Sequence, residues 1–109
     1  MLHELVNICD YIYKHFNEVV SVDGHESAIL ELYIFSLLMY KFEDPTSNQI
    51  GKLLNASRDI LYNLANCPLE IILSLKFVLG LLAEDEMIWE SEKEYLSSFM
   101  YYLQIYGDP

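Results

Sequence analysis

The chain reads as all-α, one compact bundle of five to seven helices spanning residues 1–109 as a single domain. Three observations predict this. Apolar residues recur at i, i+3 and i+4 along most of the length; helix-capping patterns stand ahead of several of those runs; and no alternating segment bounded by hairpin turns suggests a strand. With 53% hydrophobic residues, a chain of this size can bury roughly 60–70% of the surface its unfolded form exposes. It needs no disulfide staple to fold.

The first helix is marked by the stripe Leu5, Ile8, Cys9, Ile12, Phe16, Val19 and Val20, with Glu4, Asp10, Lys14, Asn17 and Glu18 largely off it. Asp23 stands three residues before Glu26, a D-x-x-E pattern that caps a second helix, with Gly24 loosening the turn. That helix runs through AILELYIFSLLMYKF to Asp44-Pro45, because proline cannot continue a helix and turns the residue before it away from helical geometry. Thr46 and Gln49 form a capping box for a short helix through Leu54. Asn55-Ala56-Ser57 is read as a break, and Ser57 as the cap of a further helix ending near Asn66, before Cys67-Pro68. From Leu69 to about Ala83 the chain is apolar nearly all round, which predicts the central helix of the bundle. Ser91 and Glu94 make another S-x-x-E box, so the last helix is expected to start there and stop at Gly107.

Charge narrows the function classes. Seventeen acidic against six basic residues give a formal net charge of −11, a field of the wrong sign for nucleic acid or anionic lipid. A basic protein is the natural complement. Cys9 and Cys67 are the only cysteines and lack CxxC spacing, which reads as two free thiols in a reducing cytosol. The N-terminal segment shows no secretion signal. The longest apolar stretch, Ile71 to Ala83, is interrupted by Lys76 and is shorter than the roughly 20 residues of a bilayer span. A cytoplasmic chain is the expectation.

Thr46 to Leu64, TSNQIGKLLNASRDILYNL, resembles a helix-turn-helix: Ile50 and a small Gly51 on one helix, Leu54 before the turn, Asn55 where that family places glycine, Ser57 opening the second helix, and Leu61 and Leu64 inward. The resemblance implies a recognition helix offering Arg58, Tyr62 and Asn63 to bases. Lys52 and Arg58 against Asp59 leave the segment at net +1, far short of the several phosphates a reader neutralises. A helical corner is favoured over a DNA contact.

His3, His15 and His25 lie far apart, and no H-E-x-x-H, G-x-x-x-x-G-K or G-x-S-x-G pattern occurs, so neither a metal, a cofactor nor an enzyme activity is predicted. Tyr11, Phe16, Phe35, Phe77 and Phe99 fit core spacing, whereas Tyr101, Tyr102 and Tyr106 cannot all face inward on one helix. The densest signal is EDEMIWESEKE, residues 84–94: the only tryptophan among six carboxylates and one lysine. The acids can complement a helix N-terminus while Trp89 staples back over the core. They can also ring an aromatic anchor for a basic partner, or stand in for a nucleic-acid backbone. The last two readings make Glu84, Asp85, Glu86, Glu90, Glu92 and Glu94 charge partners, Trp89 the anchor, and Glu43 and Asp44 a secondary patch. In character this is similar to immunity proteins and antitoxins, which occlude the active site of a basic nuclease toxin. Such an inhibitor is the leading expectation; a helix-turn-helix regulator and a homodimeric helical adaptor are the alternatives.

Overall fold

The structure, a computed structural model, describes residues 2–19, 26–42, 45–62, 64 and 67–107. The expected cap at Asp23-Gly24, His25, the Glu43-Asp44 patch and Asn63 lie outside the described residues. Five α-helices and no strand occur among the described ones: α1 (Leu2–Val19), α2 (Glu26–Phe42), α3 (Ser47–Tyr62), α4 (Leu69–Glu84) and α5 (Glu86–Gly107). The chain divides into two compact units, Met1–Cys67 and Pro68–Pro109.

In the first unit α2 packs against both α1 and α3. Its sequence explains that position: Ala28, Ile29, Leu32 and Phe35 are buried, and the helix carries apolar residues on nearly every side. From α1 the stripe read in the sequence delivers Leu5, Ile8 and Ile12 to the core, while Cys9 is half-buried. The axis bends at His15, whose backbone leaves helical geometry (φ −111°, ψ 18°), and its ring lies 4.7 Å from that of Tyr11.

The capping box at α3 forms as the sequence predicts. The Thr46 N–H donates to Gln49 Oε1 at 2.8 Å and the Gln49 N–H donates to Thr46 Oγ1 at 3.2 Å, so two otherwise orphaned donors at the helix start are satisfied reciprocally. The expected break after Leu54 is absent. Residues 55–57 are helical and α3 runs unbroken from Ser47 to Tyr62. Ile50, Leu53, Leu54, Ser57 and Ile60 form one buried stripe, and the Ser57 hydroxyl, read as a cap, donates to the Leu53 carbonyl at 2.7 Å. A serine bonded back to its own helix is satisfied where it stands and opens nothing.

In the second unit α4 follows Pro68, whose carbonyl accepts from the Ile71 and Ile72 N–H groups at 3.0 and 3.2 Å. Ile71, Leu75, Leu79 and Leu82 of α4 and Leu96 and Leu103 of α5 all have essentially no exposed surface, and the two helices pack together. The apolar character expected of α4 holds, yet Leu69 and Leu73 stay exposed. Among the helices described, it is α2 that has a helix packed on either side within its own unit.

Candidate functional site

The acid-rich segment is built around one residue. Only Asp85 separates α4 from α5, in an extended conformation (φ −82°, ψ 118°). Its N–H donates to the Leu82 carbonyl at 3.2 Å and helps close the C-terminus of α4. The carboxylate Oδ1 accepts from Met87 N–H at 3.0 Å and Ile88 N–H at 3.1 Å, and the Asp85 carbonyl accepts from Trp89 N–H at 2.8 Å. This is an N-cap whose charge also complements the helix dipole. The last helix therefore starts at Glu86, and the Ser91-Glu94 box predicted to open it lies inside α5. An Asp cap without a glutamate three residues on is a weaker sequence signal than S-x-x-E, although here it is the one the backbone uses.

Near that box the helix does change course. Glu92 sits at a kink (φ −121°, ψ 20°), and beside it the Ser97 hydroxyl donates to the carbonyls of Lys93 (2.7 Å) and Glu94 (3.3 Å). A solvent-open depression of about 560 Å³ overlies the kink, lined by residues 90–95 and 97.

Beginning α5 at Glu86 sets the phase of the side chains up to the kink at Glu92, and beyond the kink the burial pattern continues on the same flank. Ile88, Trp89 and Glu92 are half-buried on the flank that continues into Leu96, Phe99 and Leu103. Glu86, Glu90 and Glu94 are exposed at successive i+4 positions, a carboxylate row on the opposite face. No basic side chain among the described residues pairs with them. Met87 is 83% exposed and stands on the same face, three, four and seven residues before Glu90, Ser91 and Glu94.

The structure thus gathers Glu86, Glu90 and Glu94, and places exposed Glu84 and Asp85 at the helix joint just ahead of them. Glu92 is turned away to the half-buried flank. Trp89 keeps part of its surface free, while the most exposed large hydrophobic side chain among the described residues is Met87, which the sequence alone does not single out. The signal that finds it is the i, i+3, i+4, i+7 relation to Glu90, Ser91 and Glu94, legible once the helix start is known.

The helix-turn-helix resemblance does not survive at the level of geometry, since no turn exists at Asn55. Gly51, the small residue that resemblance assigns to close helix approach, has nothing within 4 Å of where a Cβ would be. Arg58 and Tyr62 are exposed on α3. Among the described residues no three His, Cys, Asp or Glu side chains converge to hold a metal ion, and no helix is long and apolar enough to cross a membrane.

Fold and site together define a class: an all-α chain presenting a carboxylate row with an exposed apolar side chain on the same face. No protein-family model, no curated protein and no solved structure matches the chain.

Proposed function

We propose that this chain binds a basic protein through the solvent face of α5 and acts as a stoichiometric inhibitor, an immunity protein or antitoxin that covers the cationic substrate cleft of a nuclease domain. The carrying observation is the row Glu86, Glu90, Glu94, exposed and without a basic partner among the described residues, with exposed Met87 on the same face. Like charges four residues apart destabilise a helix by about 0.2–0.5 kcal/mol per pair. Interspersed lysines would remove that cost, yet Lys93 is the single basic side chain in this stretch. A row of one sign gains its use when it meets the opposite sign: steering raises the encounter rate, and an adaptable methionine supplies apolar contact once the surfaces meet. A cleft built to hold phosphates carries the complementary field.

The experiment passes host extract over immobilised wild-type chain and over a Glu86→Gln, Glu90→Gln, Glu94→Gln variant, elutes with salt and assays the eluate on DNA and RNA. A nuclease retained by the wild type alone, inhibited by one equivalent of chain and associating more slowly as salt rises, is the expected result. Equal retention on the variant, or an association rate indifferent to salt, overturns the reading.

A further inference from the structure

The acidic row ends abruptly. Residues 95–107, the remainder of α5, contain no Asp, Glu, Lys, Arg or His, and this is the longest uncharged run in the chain. Its inner flank is accounted for by buried Leu96, Phe99 and Leu103. Its outer flank is not covered: Tyr95, Tyr101, Tyr102 and Ile105 are all between 51% and 62% exposed, and the rings of Tyr101 and Tyr102 meet edge to face at 5.8 Å. Tyr101 and Ile105 stand four residues apart, one turn along the helix, and Tyr102 lies on the adjoining side, so the exposed apolar groups form one patch.

We propose that a second copy of this chain covers this patch, through an antiparallel contact between the C-terminal halves of two α5 helices. The charge distribution selects the occupant. A basic partner is steered to the carboxylate row and finds no charge to pair with on this surface. Two copies carrying −11 each repel wherever acids face acids, and on α5 this half is where they can touch without that cost.

Orientation follows from the same balance. In a parallel pair the Glu86, Glu90 and Glu94 rows of both copies would run side by side at the roughly 8–10 Å of packed helices. An antiparallel pair centred between Tyr101 and Tyr102 sends the two rows to opposite ends, with each Glu94 about 11 Å from the centre and so about 22 Å from its mate, nearly three Debye lengths. The contact is isologous: Ile105 of one copy meets the Ser98 side of the other, and the reverse. Three tyrosines and an isoleucine with about half their surface free contribute on the order of 400 Å² per copy, against roughly 800 Å² for a standard interface. The dimer is accordingly weak and reversible.

Sedimentation equilibrium of the full chain tests this, from about 10 μM to about 1 mM protein in about 50 mM and about 500 mM sodium chloride. The apparent mass should climb from 12.8 kDa towards twice that value, and more readily at high salt because screening removes the residual repulsion. Ile105→Glu and Tyr101→Glu should each hold the chain monomeric with an unchanged far-ultraviolet spectrum, since both side chains are exposed. Glu90→Lys, outside the patch, should dimerise as the wild type does. A mass of one copy at every concentration and both salts, association unimpaired in both patch variants, or growth past the dimer overturns the inference. Its fate is separable from that of the basic-partner reading, because salt moves the two associations in opposite directions and Glu90→Lys removes only the other one.

Discussion

Burial pushes the Cys67 thiol from 9.0 up to about 12, because the thiolate would lose its hydration in an apolar setting. Cys9, half-buried, is also raised, by desolvation first and by the charge of Asp10 second. An Ellman titration of the folded chain near pH 8 should therefore show Cys9 reacting first and Cys67 lagging far behind, with both immediate in denaturant; equal rates in the folded chain would contradict the burial. A linkage effect accompanies this. The unfolded Cys67 thiol ionises near its ordinary value while the folded one does not, so its contribution to stability is complete below about pH 9 and is lost as pH rises towards about 12. Residue identities inside the periodic stripes were legible in the sequence for a plain reason: Leu5, Ile8, Ile12, Phe35 and Phe99 are buried because their spacing matches the helix. The buried serines were not, because Ser36, Ser57 and Ser74 read as polar until each hydroxyl is seen donating to a carbonyl one turn back, those of Leu32, Leu53 and Glu70.

Helices were more readable in their bodies than at their joints. The Thr46-Gln49 box was found because both partners are side chains with a fixed spacing. The turn expected at Asn55 does not form: asparagine, alanine and serine in succession suggest a break, but Ala56 is a strong helix former, Ser57 satisfies itself, and the buried stripe passes through them without changing phase. Asp85 shows the converse, a joint hidden inside a charge run. It combines two roles that isosteric substitution can separate. Asp85→Asn keeps a side-chain oxygen for the Met87 and Ile88 N–H groups and should change stability little, whereas Asp85→Ala removes the cap and should cost about 0.5–2 kcal/mol in denaturant unfolding. A loss as large for asparagine as for alanine would make the charge, and not the hydrogen bonds, the stabilising element. Two glycines give a second test. Gly51 and Gly80 lie inside α3 and α4 with open space where a Cβ would stand, so neither serves a close approach. Gly51→Ala and Gly80→Ala should each raise stability by about 0.5–1 kcal/mol; a fall would reveal a contact that the folded backbone does not show.

At the scale of the molecule the fold class was the easiest property to read, since periodicity and composition are sums over many residues and survive local mistakes. Helix number is less sharply legible: five to seven are expected and five occur among the described residues, the lower bound, because the supposed break at Asn55 is continuous helix. What the sequence could not show was the distribution of charge in space: six carboxylates in eleven residues become a row of three on one face, two at a joint and one turned aside only after the start of α5 is fixed. That distribution has a thermodynamic consequence independent of any partner. A chain at −11 repels itself most where it is most compact, and the repulsion is concentrated where Glu86, Glu90 and Glu94 follow one another at single turns. Raising sodium chloride from about 20 mM to about 200 mM shortens the Debye length from roughly 20 Å to under 10 Å, so the thermal midpoint should rise across that range. A fold held by exposed ion pairs would show the reverse. Glu90→Lys makes the pairs with Glu86 and Glu94 attractive but sets a like charge three residues before Lys93, so it should add a net stabilisation of about 0.4–1 kcal/mol at low salt, with the gain shrinking as salt is added. A variant more stable than the wild type that also fails to bind the basic protein proposed above would show that the row is kept for contact at the expense of the helix; if it is destabilised, the carboxylates are held by interactions other than those described and the electrostatic account of α5 fails.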